Sequence, residues 1–358
     1  MMKQASYTNR RAPGQGARLG ALALAGAGLL LLAGTAQAQG PQAARRSAAA
    51  PPTKVVLPNV HHEPQRWNNC GPTTILMALS AFGQRLKQPE VQAQLKPDRE
   101  DTNVSPEELA RFARARGLGA KVLVNGNRDI VRVLVLAGLP VIAEQWIAVH
   151  GRGEMGHYRV VIGFDDATGQ FIAHDSYYGA NRRYAYADFE KMWRPFLGTY
   201  VALWRPEQEQ LVRALVGQDW DEATMWQRAH AAAEAAVAGG AADAWSFYNL
   251  GTTRGRTGDP AGAVAAFDQA AAIGLPFRAF WYQFDYFRAL YETGQHERLL
   301  ALTDKTLASM KGENLEESRY WRARALSALG RPDEARADLE KALFFNPLFE
   351  PARELLGP

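Results

Sequence analysis

Between residues 54 and 205 the spacing of apolar positions changes several times, and each change predicts an element. Val55 to Val60 reads as a short strand. An apolar run over 72–82, closed by Gly83, predicts a helix that begins just after Cys70, and a second short helix is expected over 89–95, ahead of Pro97. Ser105-Pro106-Glu107-Glu108 combines a capping serine, proline at the first helical position and glutamate three residues on, so a helix should carry Leu109, Phe112 and Ala113 to Gly117. From Lys121 the runs shorten to strand length at 121–124, 140–146, 157–164, 171–175 and 199–204, with helices expected at 129–137 and 188–193. Gly151 to Gly156 reads as a glycine-rich loop. Asp165 to Gly169 reads as the turn of an antiparallel hairpin. Three helices ahead of a small antiparallel sheet is an α+β arrangement, placed at 54–205.

Beyond Pro206 the strand signals stop and the chain becomes alanine-rich and helical, with a helical linker expected at 206–243. From 244 to 358 an internal repeat appears. Gly258, Gly294 and Gly330 stand 36 residues apart, and Ala263 with Ala335, Phe267 with Leu339 and Ala270 with Ala342 keep the doubled offset. Short helices meeting at a glycine turn, with small residues at the crossing, are the pattern of a helical-hairpin solenoid. Gly330-Arg331-Pro332-Asp333-Glu334-Ala335, through Ala342 to Asn346-Pro347, resembles a tetratricopeptide repeat, which implies an all-α repeat domain that binds a protein partner. The middle unit departs from the signature at Leu299, Thr303 and Thr306.

Composition changes the picture mainly at the N-terminus. Lys3, Arg10, Arg11 and Arg18 precede an apolar run from Leu19 to Gly34, and Ala36-Gln37-Ala38 has the small residues a signal peptidase reads. Residues 1–38 are therefore expected to be a signal peptide, followed by a flexible linker at 39–53 and an exported protein, periplasmic or secreted, with no membrane span after signal removal. The formal net charge of +4 equals the four basic residues of that segment, so the remainder is neutral and no basic stripe calls for nucleic acid.

Export sharpens the meaning of Cys70, the single cysteine of the chain, because a lone cysteine in an oxidising compartment is a reactive-thiol candidate. At a helix start its sulfur meets free backbone N–H groups and the positive end of the helix dipole, both of which favour thiolate. That position alone equally suits a small buried hydrophobe, and a base elsewhere must decide. His157 and Asp175 lie on the two strands of the predicted hairpin. In an antiparallel pair the indices of facing residues have a constant sum. Pairing Phe164 with Thr168 puts His157 opposite Asp175, and pairing it with Gln170 puts the two on a diagonal. Both pairings place them on one face, and a slip of one residue would part them. A zinc site from Cys70, His157 and His174 lacks compact ligand spacing, and thiol hydrolysis needs no cofactor.

Asn69-Cys70-Gly71-Pro72-Thr73 with its apolar helix, Gly156-His157-Tyr158-Arg159-Val160-Val161-Ile162-Gly163-Phe164 and Asp175-Ser176-Tyr177-Tyr178-Gly179 together resemble the cysteine peptidases that process bacteriocin leaders, and look closest to exported relatives of that family. The resemblance implies a papain-like fold, Cys70 as nucleophile, His157 as general base and later acid, Asp175 as the residue orienting His157, and Gln65 as oxyanion donor. The family's glutamine usually stands six places before the cysteine, and here the spacing is five. The expected function is an exported cysteine peptidase acting on a peptide or protein substrate, with the repeats holding substrate or partner. A catalytically silent peptide-binding scaffold, or a cell-wall amidase or transpeptidase, are the alternatives.

Overall fold

The computed structural model describes residues 52–98, 100–310 and 314–357, so the expected signal peptide and most of the linker lie outside the described residues. The chain runs β1 (Lys54–Val56), α1 (Cys70–Ser80), α2 (Gln88–Leu95), α3 (Pro106–Arg114), β2 (Gly119–Leu123), α4 (Arg128–Leu136), β3 (Val141–Val149), β4 (Gly153–Asp165), β5 (Gln170–Asp175), β6 (Gly179–Ala185), α5 (Tyr186–Trp193) and β7 (Tyr200–Trp204). The strands form one antiparallel sheet in the order β2-β7-β3-β4-β5-β6, with β1 on β4 beyond the end of β3.

Helix α1 is apolar on nearly every side, and Gly71 to Ser80 are all buried, as befits a helix running through a core rather than over it. It begins at Cys70 itself, two residues earlier than its apolar run suggests. Helix α3 starts on the predicted capping box, in which Ser105 Oγ accepts from the Glu108 N–H and Glu108 Oε2 accepts from the Ser105 N–H.

Two departures from the sequence reading bear on the site. Gly153 to Gly156 is strand rather than loop, so His157 sits inside β4, paired with Gln145 of β3. β6 had no apolar signal because its sequence, GANRRYA, is largely exposed at the sheet edge. Residues 206–243, expected as a helical linker, hold α6 (Glu209–Val216) and α7 (Glu222–Ala238), and their Val212, Val216, Met225 and Ala229 share the apolar core of the sheet.

The rest is helical: α8 (Ala244–Arg256), α9 (Pro260–Ile273), α10 (Asp285–Glu292), α11 (His296–Ser309), α12 (Glu316–Ala328), α13 (Pro332–Phe345) and α14 (Glu350–Leu356). Gly258, Gly294 and Gly330 stand at the turns of the pairs α8/α9, α10/α11 and α12/α13 with φ of 95°, 70° and 75°, a left-handed conformation that glycine adopts without strain. These hairpins pack on the sheet-containing part. Thr102 N–H donates to Asn314 O and Asn314 N–H to Glu100 O, Asn103 bonds Glu317, and Asn346 bonds both Glu108 and Glu316. A cavity of about 800 Å³ remains between the two parts, lined among others by Glu107, Glu144, Trp204, Arg256 and Trp321; Cys70 is not in its wall.

Candidate active site

The approach to Cys70 is irregular and depends on buried side chains for its shape. Its backbone turns at Asn68, which has φ of 47°. Gln88, buried at the start of α2, holds it from below: Oε1 accepts from Arg66 N–H (2.9 Å), Asn69 Nδ2 (3.0 Å) and Thr73 Oγ1 (2.9 Å), while Nε2 donates to Pro64 O (2.9 Å). Lys96 Nζ donates to Asn68 O at 2.7 Å. The chain is thereby fixed just before the sulfur, where α1 begins.

The hairpin β4–β5 brings up the imidazole and its carboxylate through an unequal register. Near the turn, Asp165 pairs with Gln170, Phe164 with Phe171 and Gly163 with Ile172. Continued unchanged, that register would set Asp175 opposite Val160, on the face away from His157. A bulge between Val161 and Gly163 adds one residue to β4, after which Val161 pairs with Ala173 and Arg159 with Asp175. Asp175 then shares a face with Arg159 and, on the diagonal, with His157.

Asp175 is fully buried and nearly saturated with donors. Oδ1 accepts from His157 Nε2 (3.0 Å) and from the backbone N–H groups of Tyr177 (2.8 Å) and Tyr178 (2.9 Å). Oδ2 accepts from Arg159 Nε (2.6 Å) and Tyr184 Oη (3.0 Å). Burial would raise its pKa, but His157, Arg159 and the Tyr178 N–H outweigh that and hold the carboxyl well below the usual carboxylate range. With Nε2 committed to Asp175, Nδ1 of His157 is left for Cys70, whose thiol lies within hydrogen-bonding reach of the ring. Burial alone would push the Cys70 thiol up; the bond and charge of His157, the charge of Lys96 and the Gly71 N–H bring it below its ordinary value. Burial would likewise lower His157, and the bonds to Asp175 and Cys70 raise it. Thiol and imidazole move in the directions that favour a thiolate–imidazolium pair.

Residues 57–201 match the Peptidase_C39 like family, and residues 316–347 match the tetratricopeptide repeat. The chain carries a C39-like domain followed by a repeat. Among solved structures, the C39-like domain is similar to the peptidase domain of Streptococcus ComA, a bifunctional ABC transporter of a quorum-sensing pathway, at 17% identity over 41% of this chain and 98% of that one, with a TM-score of 0.33. It is also similar to a double-glycine-motif protease from an AMS/PCAT transporter, solved with its leader peptide, at 16% identity over 42% and 97% and a TM-score of 0.31. The repeat protein YrrB, described as having an unusual peptide-binding site, is similar at 17% identity over 42% and 76%, with a TM-score of 0.33. No curated protein matches the chain.

Of the four residues singled out in the sequence, the C39-like domain brings Cys70, His157 and Asp175 together. Gln65 is tied to the turn after Asp175: its N–H donates to Ser176 O (2.9 Å), and its Oε1 accepts from Ser176 Oγ (2.7 Å). His174 points the other way, with Nε2 donating to Val60 O at 2.9 Å. The sequence reading gave no role to Arg159, which is buried beside Asp175 with its guanidinium also bonded to Gln145 and lying 4.3 Å from the centre of the Tyr184 ring. Its only local signal was its place two residues after His157, hence on the same strand face. Gln88 had no local signal at all.

Proposed function

We propose that the protein is an exported cysteine peptidase in which Cys70 is the nucleophile, His157 the general base and acid, and Asp175 the orienting carboxylate. The observation that carries this reading is the bond from His157 Nε2 to a buried, multiply held carboxylate, with the same imidazole bringing the Cys70 thiol below its ordinary value. In the first half-reaction the thiolate attacks the scissile carbonyl carbon, and the electron pair of the C=O bond moves to oxygen. The Cys70 N–H and the Gln65 amide are assigned to that oxyanion, with Ser176 holding Gln65 by its carbonyl end. Collapse breaks the C–N bond as His157 gives its proton to the departing amine, leaving a thioester. In the second, His157 takes a proton from water, the oxygen attacks the thioester, and the peptide acid leaves as the thiol is restored. The repeat is assigned to a protein or peptide partner.

The test is alkylation of Cys70 by iodoacetamide as a function of pH. The thiol should react fast well below its free value of about 8.5, and His157→Ala should return the profile towards that value. Gln65→Ala should leave alkylation unchanged yet slow peptide turnover by about a hundredfold, since an oxyanion donor acts only on the acyl transition state. An unmutated thiol that titrates near its free value and ignores His157→Ala would sink the enzyme reading and leave a silent scaffold. Export is supported by the basic start, apolar run and Ala36-Gln37-Ala38; protein recovered outside the cytoplasm should begin at or near Gln39, and an intact Met1 there would refute it.

A further inference from the structure

The strand that carries His157 is gripped from outside the C39-like domain. Between α9 and α10, the helical turn Phe277–Trp281 reaches the tip of the β3–β4 hairpin. Arg278 Nη1 donates to the backbone oxygens of Arg152 (2.8 Å) and Glu154 (3.0 Å), and its guanidinium lies 4.7 Å from the centre of the Trp281 ring. Tyr282 closes on the same hairpin one step further in. Its ring meets Trp146 edge-on with centroids 5.9 Å apart, and it sits so near Gly156 that an added Cβ there would lie 2.8 Å from a ring carbon. Gly156 is the residue before His157 and the cross-strand partner of Trp146.

The same grip extends to the nucleophile. The guanidinium of Arg152, whose carbonyl Arg278 holds, lies 4.6 Å from the centre of the Trp67 ring, three residues before Cys70. One short turn of the repeat region therefore bears on the base side through Gly156 and on the thiol side through Arg152 and Trp67. Trp67 is 68% exposed, so little within its own segment pins it apart from that stacked guanidinium. The bare face of Gly156 lets an aromatic ring lie directly on β4, an approach that any side chain would block.

We propose that Arg278 and Tyr282 are positioning residues for the thiol site, setting the separation of the His157 strand from the Cys70 approach, so that the repeat region governs whether Cys70 is activated. This rests on the reading of Cys70 and His157 as the reacting pair. The sensitivity is expected because misplacement of a reacting group by about 1 Å can cost on the order of a hundredfold in rate. Whatever draws the 277–282 turn away from the hairpin switches the thiol towards its unactivated state.

The experiment is iodoacetamide alkylation of the full chain across pH, where the single cysteine makes the readout unambiguous. Tyr282→Ala and Arg278→Ala should move the profile towards that of His157→Ala, with the rate near pH 6 falling about tenfold. Tyr282→Phe keeps the ring on Gly156 and should keep the unmutated profile. Gly156→Ala pushes on the same contact from the other side and should shift the profile as Tyr282→Ala does, which covers the case of a Tyr282→Ala chain that fails to fold. If Tyr282→Ala, Arg278→Ala and Gly156→Ala all retain the unmutated profile while His157→Ala loses it, the inference is overturned and the reacting pair stands. If the unmutated chain itself behaves as a free thiol and ignores His157→Ala, the reacting pair is wrong and the inference falls with it.

Discussion

Arg159 is where a single side chain has the largest leverage. It is a buried cation facing a buried anion, and removing one member of such a pair leaves the other uncompensated. Arg159→Met should therefore destabilise the fold by about 3 kcal/mol or more, read as a lower midpoint in urea unfolding, and should slow peptide turnover because the carboxylate loses one of its anchors. Arg159→Lys should recover part of the stability, since a point charge replaces the Nε–Oδ2 bond but not the second bond to Gln145. Lysine-like stability together with wild-type turnover in Arg159→Met would count against the assignment. At this scale the sequence was informative in part. Alternation placed His157 and Asp175 on one face, but neither foreseen pairing is observed at the turn, where Phe164 faces Phe171, and it is the bulge between Val161 and Gly163 that restores the diagonal. The same alternation put Arg159 beside them, but an arginine in a strand ordinarily faces water, and only the burial of Asp175 reverses that.

Elements whose signals are local were legible: the capping box of α3, the apolar α1, and the three glycine turns of the helical hairpins. Those that depend on distant partners were not. Nothing near Gln88 announces that its amide serves Arg66, Asn69 and Thr73, residues 22, 19 and 15 positions away. Gln88→Leu would strand those three donors in a largely buried setting, at roughly 1–3 kcal/mol for each that finds no substitute. The expected outcome is a lower melting temperature together with slower alkylation at neutral pH, because α1 would remain while the approach to Cys70 loosens. A drop in melting temperature with an unchanged alkylation profile would limit Gln88 to a packing role. β6 and the Gly153–Gly156 strand were missed for another reason: their glycine and polar residues carry no apolar period for alternation to show.

Across the whole molecule, the contact between the C39-like domain and the repeats is built around carboxyl groups. Burial, then the charge of Glu108, pushes Glu316 up to about 7, and burial with the neighbouring carboxylates raises Asp101 and Glu317 well above their ordinary values in the same cluster. Lys96 is the cation facing Asp101, and Asn346 and Asn103 supply the neutral donors. A carboxyl group with a raised value in the folded chain binds its proton more tightly there than in the unfolded chain, where about 4.5 applies. Its contribution to stability is therefore present at low pH and is lost as pH rises from about 4.5 through about 7. The melting temperature should fall on the order of 5 °C between pH 5 and pH 8, and Glu316→Gln should flatten that slope. A slope unaffected by the substitution would place the titration elsewhere.

The bond from Asn103 to Glu317 joins residues 214 positions apart, and the pairing of Asp101 with Asn314 lies beside it. Asn68, two residues before Cys70, donates to the backbone oxygen of that same Asp101. Contacts of such long sequence separation close late, and a chain emerging from the ribosome folds from its N-terminal end first. The segment that shapes the approach to Cys70 thus waits for its last support until the third helical hairpin has been synthesised. During synthesis the approach to Cys70 therefore lacks this support until residues 314–317 have been added.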